Sequence, residues 1–317
     1  IEKQPKHNIT STIYNAVLPE KAYEPVTIPK TDKILTRLHE IATDKGFSPS
    51  SLTNYIRNPL QFYMQRILRI NEADEVEENI AVNTLGTIIH NALEELYTPY
   101  LNQFLALHHI ESMEAKIDEV ILKHFKEIYK EGEITKGKNL LAFEVAKRNV
   151  YNFLQLEKKD IEEGQAIKVV LLEASLSCEI EVKSLPFPIK IAGKVDRIEE
   201  RNGAIRIIDY KTGKVLGNSL KINDFTDLTS DIKNEKIIQL LCYALMFENH
   251  ELKQNREVSA GIVSFKNMKS GFLPFGLGKG KDAELVISND ILQDFKSELE
   301  TLILEIFNPE IPFKEKV

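Results

Sequence analysis

Apolar and polar residues alternate most regularly between Ile189 and Gly213, where the chain reads IKIAGKVDRIEERNGAIRIIDYKTG. Every second position is apolar or small from Ile189 to Val195, which predicts a half-buried strand that ends at Asp196. A second apolar run extends from Ala204 to Ile208. The Asn202-Gly203 pair lies between the two runs, and both residue types tolerate positive φ. The pattern therefore predicts a β-hairpin with a tight turn.

Helical spacing of apolar residues dominates the chain before this hairpin, and strand-like runs flank the hairpin on either side. Helices are predicted over residues 31–45, 47–58, 59–70, 85–97, 235–249 and 288–307, and a helical region interrupted by a turn at 132–137 is predicted over residues 100–164. Further strands are predicted over residues 168–182 and 259–265. Residues 72–78 and 271–282 lack such a period and are expected to form loops. The order of elements predicts a helical first part and a sheet in the second part.

We divide the chain near residue 46. Residues 1–46 are expected to form an extended connector and a short helix, because the connector is interrupted by Pro5, Pro19, Pro25 and Pro29. Residues 47–317 are expected to form one domain, mainly helical over 47–165 and with the sheet core and C-terminal helices over 166–317. The sequence does not begin with Met, from which we expect a segment of a longer protein.

Composition excludes several classes of protein. The net charge is −7 at pH 7, so any contact with nucleic acid must come from a local groove and not from a generally basic surface. The sequence contains no apolar run of about 18 residues and no apolar signal-peptide core, so no membrane association is expected. Cys178 and Cys242 are the two cysteines, which are too few for a four-cysteine metal site and fit a reducing cytoplasm.

Acidic and basic side chains converge at the predicted hairpin. Asp209 and Lys211 are two positions apart in a strand and share a face, and Asp196 ends the strand before the turn. Two carboxylates, with the backbone carbonyl of Tyr210 as a further oxygen, suit a hard divalent cation such as Mg²⁺. An amine beside a metal-bound water can orient or deprotonate that water for attack on a phosphodiester. The alternative is a surface hairpin whose Asp and Lys side chains form solvated ion pairs.

Other polar side chains lie beside apolar helix faces. His90 borders the apolar stripe of LGTIIHNALEELY and is either a metal ligand or a packed core histidine. Gln239 and Tyr243 are four positions apart and share a face of the predicted helix over residues 235–249. Gln239 interrupts an apolar segment, so it is either a residue with a functional partner or a boundary amide of an amphipathic helix.

Five segments together resemble the RecB-like and AddB-like nuclease domains of the PD-(D/E)xK nuclease superfamily. They lie in the family's order between residues 47 and 265 and read SPSSLTNYIRNPLQFY, GTIIH, GKVDR, IIDYKTG and QLLCY. The resemblance implies an α/β fold of restriction-endonuclease type. In such a fold a mixed β-sheet is flanked by helices, and residues 47–165 would add a large helical layer.

The resemblance also implies a role for each matching residue. The expected metal ligands are His90, Asp196, Asp209 and the backbone carbonyl of Tyr210. The expected catalytic residues are Asp196, Asp209, Lys211 and Gln239. DNA contacts are expected from Gln239, Tyr243, Ser50 and Tyr55.

The implied activity is hydrolysis of DNA with Mg²⁺ or Mn²⁺, most simply as an exonuclease that works with a helicase domain or subunit in recombination and repair. Cluster-bearing relatives carry a cysteine where this chain has Asn58, so no iron–sulfur cluster is expected. Two alternatives remain open, because a fold does not fix a function. They are a catalytically silent DNA-binding or scaffolding module, and a metal-dependent phosphohydrolase that acts on small substrates.

Overall fold

The structure is a computed structural model that describes residues 23–70, 80–129, 136–278, 280 and 282–316 of the 317-residue chain. The acidic loop predicted over residues 72–78 and the first 22 residues of the predicted connector lie outside these ranges. Within the described ranges, helices precede a sheet in the order that the apolar spacing predicts.

Helices make up most of the chain before residue 165. A short strand, β1 (Thr27–Ile28), precedes them. The helices are α1 (Asp32–Glu40), α2 (Pro49–Arg57), α3 (Pro59–Phe62), α4 (Val82–Tyr97), α5 (Leu107–Glu114), α6 (Ile117–Ile128) and α7 (Gly137–Glu162). Wider π turns at Ile41–Lys45 and Tyr63–Ile67 extend α1 and α3.

The rest of the chain contains the sheet and two more helices. The strands are β2 (Ile167–Ile180), β3 (Ile189–Arg201), β4 (Ala204–Lys211), β5 (Lys221–Ile222), β6 (Val258–Ser264), β7 (Phe272–Pro274), β8 (Gly276–Leu277) and β9 (Phe313–Lys314). The helices are α8 (Glu235–Phe247) and α9 (Asn289–Phe307). The prediction of a loop over residues 271–282 is wrong where β7 and β8 form. β7 pairs antiparallel with β6, whose edge would otherwise be unpaired.

Five strands form one mixed sheet in the order β2-β3-β4-β6-β7. The β4–β6 pair is parallel, and the other three pairs are antiparallel. The predicted hairpin turn is confirmed, since Asn202 and Gly203 have φ angles of 52° and 89° and such paired positive values are typical of a type I′ turn. β3 continues to Arg201, past its predicted end at Asp196. The polar residues of this extension face paired charges, which the alternation could not reveal.

Each face of the sheet covers its own apolar core. We call these the α8 core, which contains residues of α1, α2, α8 and α9, and the α7 core, which contains residues of α4, α5, α6 and α7. On β4, Ile205 and Ile207 face the α8 core, whereas Ile208 and Tyr210 face the α7 core, as the alternation of a strand requires. The fold is therefore the predicted α/β arrangement, a mixed sheet flanked by helices with a helical layer on one side.

The β2–β3 ribbon changes face near Glu173. Leu172 packs against the α7 core, whereas Leu176 and Cys178 pack against the α8 core. These three residues would share a face in an uninterrupted strand. Glu173 has a φ of 46°, in the left-handed region that residues with a β-carbon rarely adopt. The rotation at this one residue explains the change of face.

The predicted short helix before residue 46 is present as α1, and it packs as part of the main body. Leu38 and Ala42 are fully buried in the α8 core. β1 pairs antiparallel with β9, which joins this segment to residues near the other end of the described chain. A bilayer-spanning helix, long and apolar enough to cross a membrane, is absent from the described residues.

Candidate active site and metal centre

Asp196 and Asp209 lie side by side on the β3–β4 hairpin. Arg197 pairs with Ile208 in the register of the two strands, which places the preceding Asp196 next to Asp209. The Oδ2 atom of Asp196 accepts a hydrogen bond of 2.6 Å from the N–H of Tyr210. One oxygen of Asp196 is thus used within the hairpin, and Oδ1 is left for other partners.

Asp209 is held on both of its carboxylate oxygens. Lys211 Nζ lies 2.8 Å from Oδ2, and Gln239 Nε2 donates a hydrogen bond of 2.9 Å to Oδ1. Asp209 is 2% exposed, and this burial raises its pKa to about 6 although the charge of Lys211 acts in the opposite direction. The prediction that Asp209 and Lys211 share a face of the strand is confirmed.

The turn after Lys211 is fixed from the neighbouring strand β6. Ser264 is fully buried, and its hydroxyl donates to the carbonyl of Gly213 at 2.8 Å and accepts from the N–H of Val215 at 3.1 Å. The parallel register sets Lys211 beside Ser264. The backbone around Lys211 is therefore held in place, while 32% of its side chain stays exposed to solvent.

Gln239 and Tyr243 lie on the face of α8 that meets β4. The amide of Gln239 donates to Asp209 and, at 2.7 Å, to the hydroxyl of Tyr243. Both amide hydrogens of Gln239 are therefore used within the protein, and Tyr243 is itself buried. This geometry favours the reading of Gln239 as a residue with a functional partner, because that partner is the carboxylate of Asp209.

Helix α4 brings His90 to the same hairpin. Its Nδ1 atom is 3.4 Å from Asp196 Oδ1 and 3.7 Å from Glu173 Oε1, and its ring meets that of Tyr210 edge to face. Burial lowers the pKa of His90, but the two nearby carboxylates outweigh burial and raise the pKa to about 10. The contacts with two carboxylates distinguish His90 from a histidine that is merely packed in a core.

Glu173 belongs to the site although the sequence alone did not reveal it. It lies opposite Asp196, between two antiparallel residue pairs of β2 and β3. Lys194 Nζ is 2.8 Å from its Oε2 atom. Burial raises the pKa of Glu173, but the ion pairs with His90 and Lys194 outweigh burial and lower the pKa below its usual value. A lone acidic residue directly after the apolar run VVLL was the available signal.

The donor atoms at this point fit a divalent cation. His90, Glu173 and Asp196 each offer one ligand atom, and these atoms lie within 4.8 Å of one another. Over the described part of the chain, no other group of three His, Cys, Asp or Glu side chains meets this criterion. One imidazole nitrogen with carboxylate oxygens is a donor set that suits Mn²⁺ and, with added waters, Mg²⁺.

The opening helix motif supplies caps to two helices. Ser48 accepts a hydrogen bond of 3.1 Å from the N–H of Ser51 at the start of α2. Asn58 caps α3 in the same way, since its Oδ1 atom accepts from the N–H of Leu60 at 3.1 Å. Asn58 thus has a structural role of its own, and the expected lack of an iron–sulfur cluster stays a prediction.

Two residues of this motif differ in what they offer to a DNA strand. Tyr55 is 2% exposed in the α8 core, and its hydroxyl donates to Glu305 at 3.0 Å. We therefore do not retain the predicted DNA contact for Tyr55, because packing and its hydrogen bond use the whole side chain. Ser50 is exposed at the start of α2, and its contact with DNA stays a prediction.

A buried ion cluster anchors the hairpin from the opposite face. Arg197 is fully buried, and its guanidinium lies 2.5 Å from the carboxylates of both Glu157 on α7 and Glu199 on β3. The guanidinium also covers the ring of Tyr97, which donates a hydrogen bond to Glu157. The ion pair between Glu157 and Arg197 therefore connects helix α7 to β3, the strand that carries Asp196.

Comparison with known proteins gives distant relatives. A protein of Rickettsia conorii, uncharacterized protein RC0550, is 24% identical over 199 residues, which are 60% of this chain and 22% of that protein. A subunit of the ATP-dependent helicase/deoxyribonuclease of Streptococcus agalactiae is 23% identical over 192 residues, which are 59% of this chain and 16% of that subunit. The chain spans about a fifth of the length of the curated relatives that it matches first.

A solved structure, that of SSO0001, aligns over 82% of this chain and 87% of its own, with 11% identity and a TM-score of 0.22, which is too low to support any inference. The comparison with protein families covers most of the chain. The model of the PD-(D/E)XK nuclease superfamily matches residues 46–317, a range that contains the hairpin, His90 and α8. On this match, the chain belongs to the PD-(D/E)XK nuclease superfamily.

Proposed function

We propose that this chain is a RecB-like deoxyribonuclease domain that hydrolyses phosphodiester bonds with Mg²⁺ or Mn²⁺. The observation that carries the proposal is the convergence of His90, Asp196, Asp209 and Lys211 on one end of a hairpin. Membership of a nuclease superfamily supports the chemistry. The similarity to a helicase/deoxyribonuclease subunit supports DNA as the substrate.

The residues that would hold the metal are His90, Asp196 and Asp209, with the backbone carbonyl of Tyr210. A bound divalent cation supplies positive charge to the scissile phosphate and lowers the pKa of a bound water. Lys211 is free to turn from Asp209 toward the water that attacks phosphorus and to hold it in line. Its amine can also donate to a phosphate oxygen as negative charge develops there.

Gln239 acts first of all on Asp209 in this proposal. Its hydrogen bond fixes Oδ1 and leaves the second oxygen to Lys211 or a cation. Tyr243 in turn accepts from the same amide and so limits its rotation. The DNA contacts of Gln239 and Tyr243 stay predictions. In this proposal DNA would approach from the exposed side of Lys211.

The finer role that we propose is an exonuclease that receives DNA from a helicase domain or subunit during recombination and repair. The printed name of the Streptococcus agalactiae relative supports a helicase partner. Cys178 and Cys242 are both free thiols, which supports the cytoplasmic location expected from composition.

Digestion of end-labelled DNA tests the proposal. Linear and circular substrates, single- and double-stranded, are incubated with Mg²⁺, with Mn²⁺ or with a chelator. Asp209→Asn and Lys211→Ala are each expected to lower the rate by roughly 10²-fold or more. A matched control exists in Asp231 and Lys233, which have the same spacing and an N–O distance of 2.7 Å but lie at the surface. Asp231→Asn and Lys233→Ala are expected to leave cleavage unchanged.

The outcomes separate the alternatives. Metal-dependent cleavage of linear but not circular DNA supports the exonuclease, and cleavage of both supports an endonuclease. DNA binding without cleavage in either metal supports the silent module. Hydrolysis of a small phosphodiester such as bis-p-nitrophenyl phosphate, with no action on any DNA, supports the small-substrate phosphohydrolase.

A further inference from the structure

We propose that Glu173 is a metal ligand, and that with His90 and Asp196 it forms a cation subsite separate from the carboxylate of Asp209. The inference rests on the proposed function in one respect, since both require a divalent cation at this hairpin. It adds a residue to the site and divides the site into two parts.

The carboxylate oxygens that Tyr210 and Lys194 do not hold converge on His90. Asp196 uses Oδ2 for the N–H of Tyr210, which leaves Oδ1 beside His90 Nδ1 at 3.4 Å. Glu173 uses Oε2 for Lys194 at 2.8 Å, which leaves Oε1 beside the same nitrogen at 3.7 Å. In both carboxylates one oxygen is fixed by a protein donor and the other is directed at His90.

Asp209 lies beside this group but does not belong to it. Gln239 donates to its Oδ1 atom and Lys211 forms an ion pair with Oδ2, and Asp209 does not belong to the set of ligand atoms that lie within 4.8 Å of one another. A cation held by His90, Glu173 and Asp196 would therefore stand beside Asp209 without requiring it. Asp196 lies between the two parts and is the carboxylate that can serve both.

The backbone of Glu173 supports a functional role. Its φ of 46° lies in the left-handed region although the residue is within the 14-residue strand β2. A glutamate with this conformation is sterically disfavoured, and such residues cluster at sites where function requires a particular side-chain direction. Here the rotation turns the strand between its two cores and sets the carboxylate opposite Asp196.

The simpler explanation of the same contacts is a charge cluster in which Glu173 neutralises Lys194 and a protonated His90. The two explanations differ in what a divalent cation does. If Glu173 is a ligand, its replacement by glutamine, which has the same shape, weakens the binding of the cation. If Glu173 is only a counter-charge, the same substitution affects folding or the charge of His90. The affinity for the cation is then unchanged, because the other ligands provide it.

Titration of free Mn²⁺ by electron paramagnetic resonance tests the proposal without any substrate. The proteins are the unaltered chain, Glu173→Gln, Asp209→Asn and the double variant, with Glu179→Gln as a control on the exposed part of the same strand. We expect Glu173→Gln to weaken Mn²⁺ binding by about tenfold or more and Glu179→Gln to have no effect. We expect Asp209→Asn to keep a Mn²⁺ site that disappears in the double variant.

Equal Mn²⁺ affinity in Glu173→Gln and the unaltered chain would overturn the proposal. Circular dichroism melts in chelator show whether Glu173→Gln is folded, and if it is not, Glu173→Asp gives the same test with a shortened carboxylate. Normal DNA cleavage together with normal Mn²⁺ binding in Glu173→Gln refutes this inference and leaves the nuclease intact. Loss of Mn²⁺ in Glu173→Gln, in a protein that cuts no DNA, supports the subsite and refutes the nuclease.

Discussion

Gln239 donates a hydrogen bond of 2.9 Å to Oδ1 of Asp209, from helix α8 to strand β4. Asp209 is nearly fully buried, and its burial raises the pKa to about 6. A donated hydrogen bond favours the ionised carboxylate. Gln239 therefore helps to keep Asp209 charged in a place where the surroundings oppose that charge.

Removal of this hydrogen bond should move the pH dependence of the enzyme. In Gln239→Leu the pKa of Asp209 should rise further above about 6, so the acidic limb of the rate profile should shift to higher pH. We also expect a rate loss of about tenfold at neutral pH. The control is Tyr243→Phe, which removes the other partner of Gln239 but leaves Asp209 its donor. An unshifted acidic limb in Gln239→Leu would refute the positioning role.

Metal binding should release protons. Without metal the pKa of His90 is raised to about 10, so its imidazole is protonated near pH 8, whereas a ligand must be neutral. Cation affinity should therefore increase with pH up to about 10 and decrease below neutrality, where Asp209 also takes up a proton. Calorimetry in two buffers of different ionisation enthalpy measures the protons released. About one proton per Mn²⁺ is expected near pH 8, and His90→Asn should abolish most of that release.

The buried ion cluster should be costly to break. Arg197→Met leaves Glu157 and Glu199 buried without their main counter-charge, and we expect the free energy of unfolding to fall by about 3–5 kcal/mol. Arg37 offers a control, because its ion pair with Glu40 lies at the surface. Arg37→Met should cost less than about 1 kcal/mol. Urea denaturation measures both, and equal losses in the two variants would contradict the anchoring role of Arg197.

Lys30 should give the fold a pH dependence of its own. It is buried beside the rings of Tyr55 and Phe313, and burial lowers its pKa to about 8 although Glu305 acts in the opposite direction. The folded state therefore holds this proton less tightly than the unfolded chain, whose lysine titrates near its usual value. A lysine with a lowered folded-state pKa destabilises the folded state at low pH. This destabilisation decreases as the pH rises through the folded-state pKa.

The measurement for Lys30 is the difference between two melting curves. Between about pH 8 and about pH 9.5 the melting temperature of the unaltered chain should rise relative to that of Lys30→Met. Lys33→Met, at an exposed position of α1, serves as the control and should follow the unaltered chain. Parallel curves for the unaltered chain and Lys30→Met would show that Lys30 does not titrate in this range.

The sequence predicted the part of the site that depends on strand alternation. Asp209 and Lys211 share a face because side chains two apart in a strand must do so, and the Asn202-Gly203 turn brings β3 back along β4. The resemblance to known nucleases added His90 and Gln239, which no local pattern connects to the hairpin. Their contacts with Asp196 and Asp209 are now visible as distances.

What escaped prediction depends on contacts between distant segments. The left-handed turn at Glu173 leaves no periodic signal, because a single residue reverses the face of the strand. β3 looked finished at Asp196 because the next polar residues are charged, yet Arg197 and Glu199 are buried against α7. Tyr55 carried the right motif, but its ring packs against Phe62 and Phe313 in the α8 core.

The alternation of the hairpin has a consequence for any saturation mutagenesis of this chain. Asp196 and Asp209 face the candidate active site, whereas the residues that follow them, Arg197 and Tyr210, face the α7 core. A scan that records both cellular abundance and activity should separate these two pairs of neighbouring residues. Substitutions at the aspartates should leave abundance intact, and those at Arg197 and Tyr210 should deplete the protein. Loss of activity at the latter two positions would then report on folding, and not on chemistry.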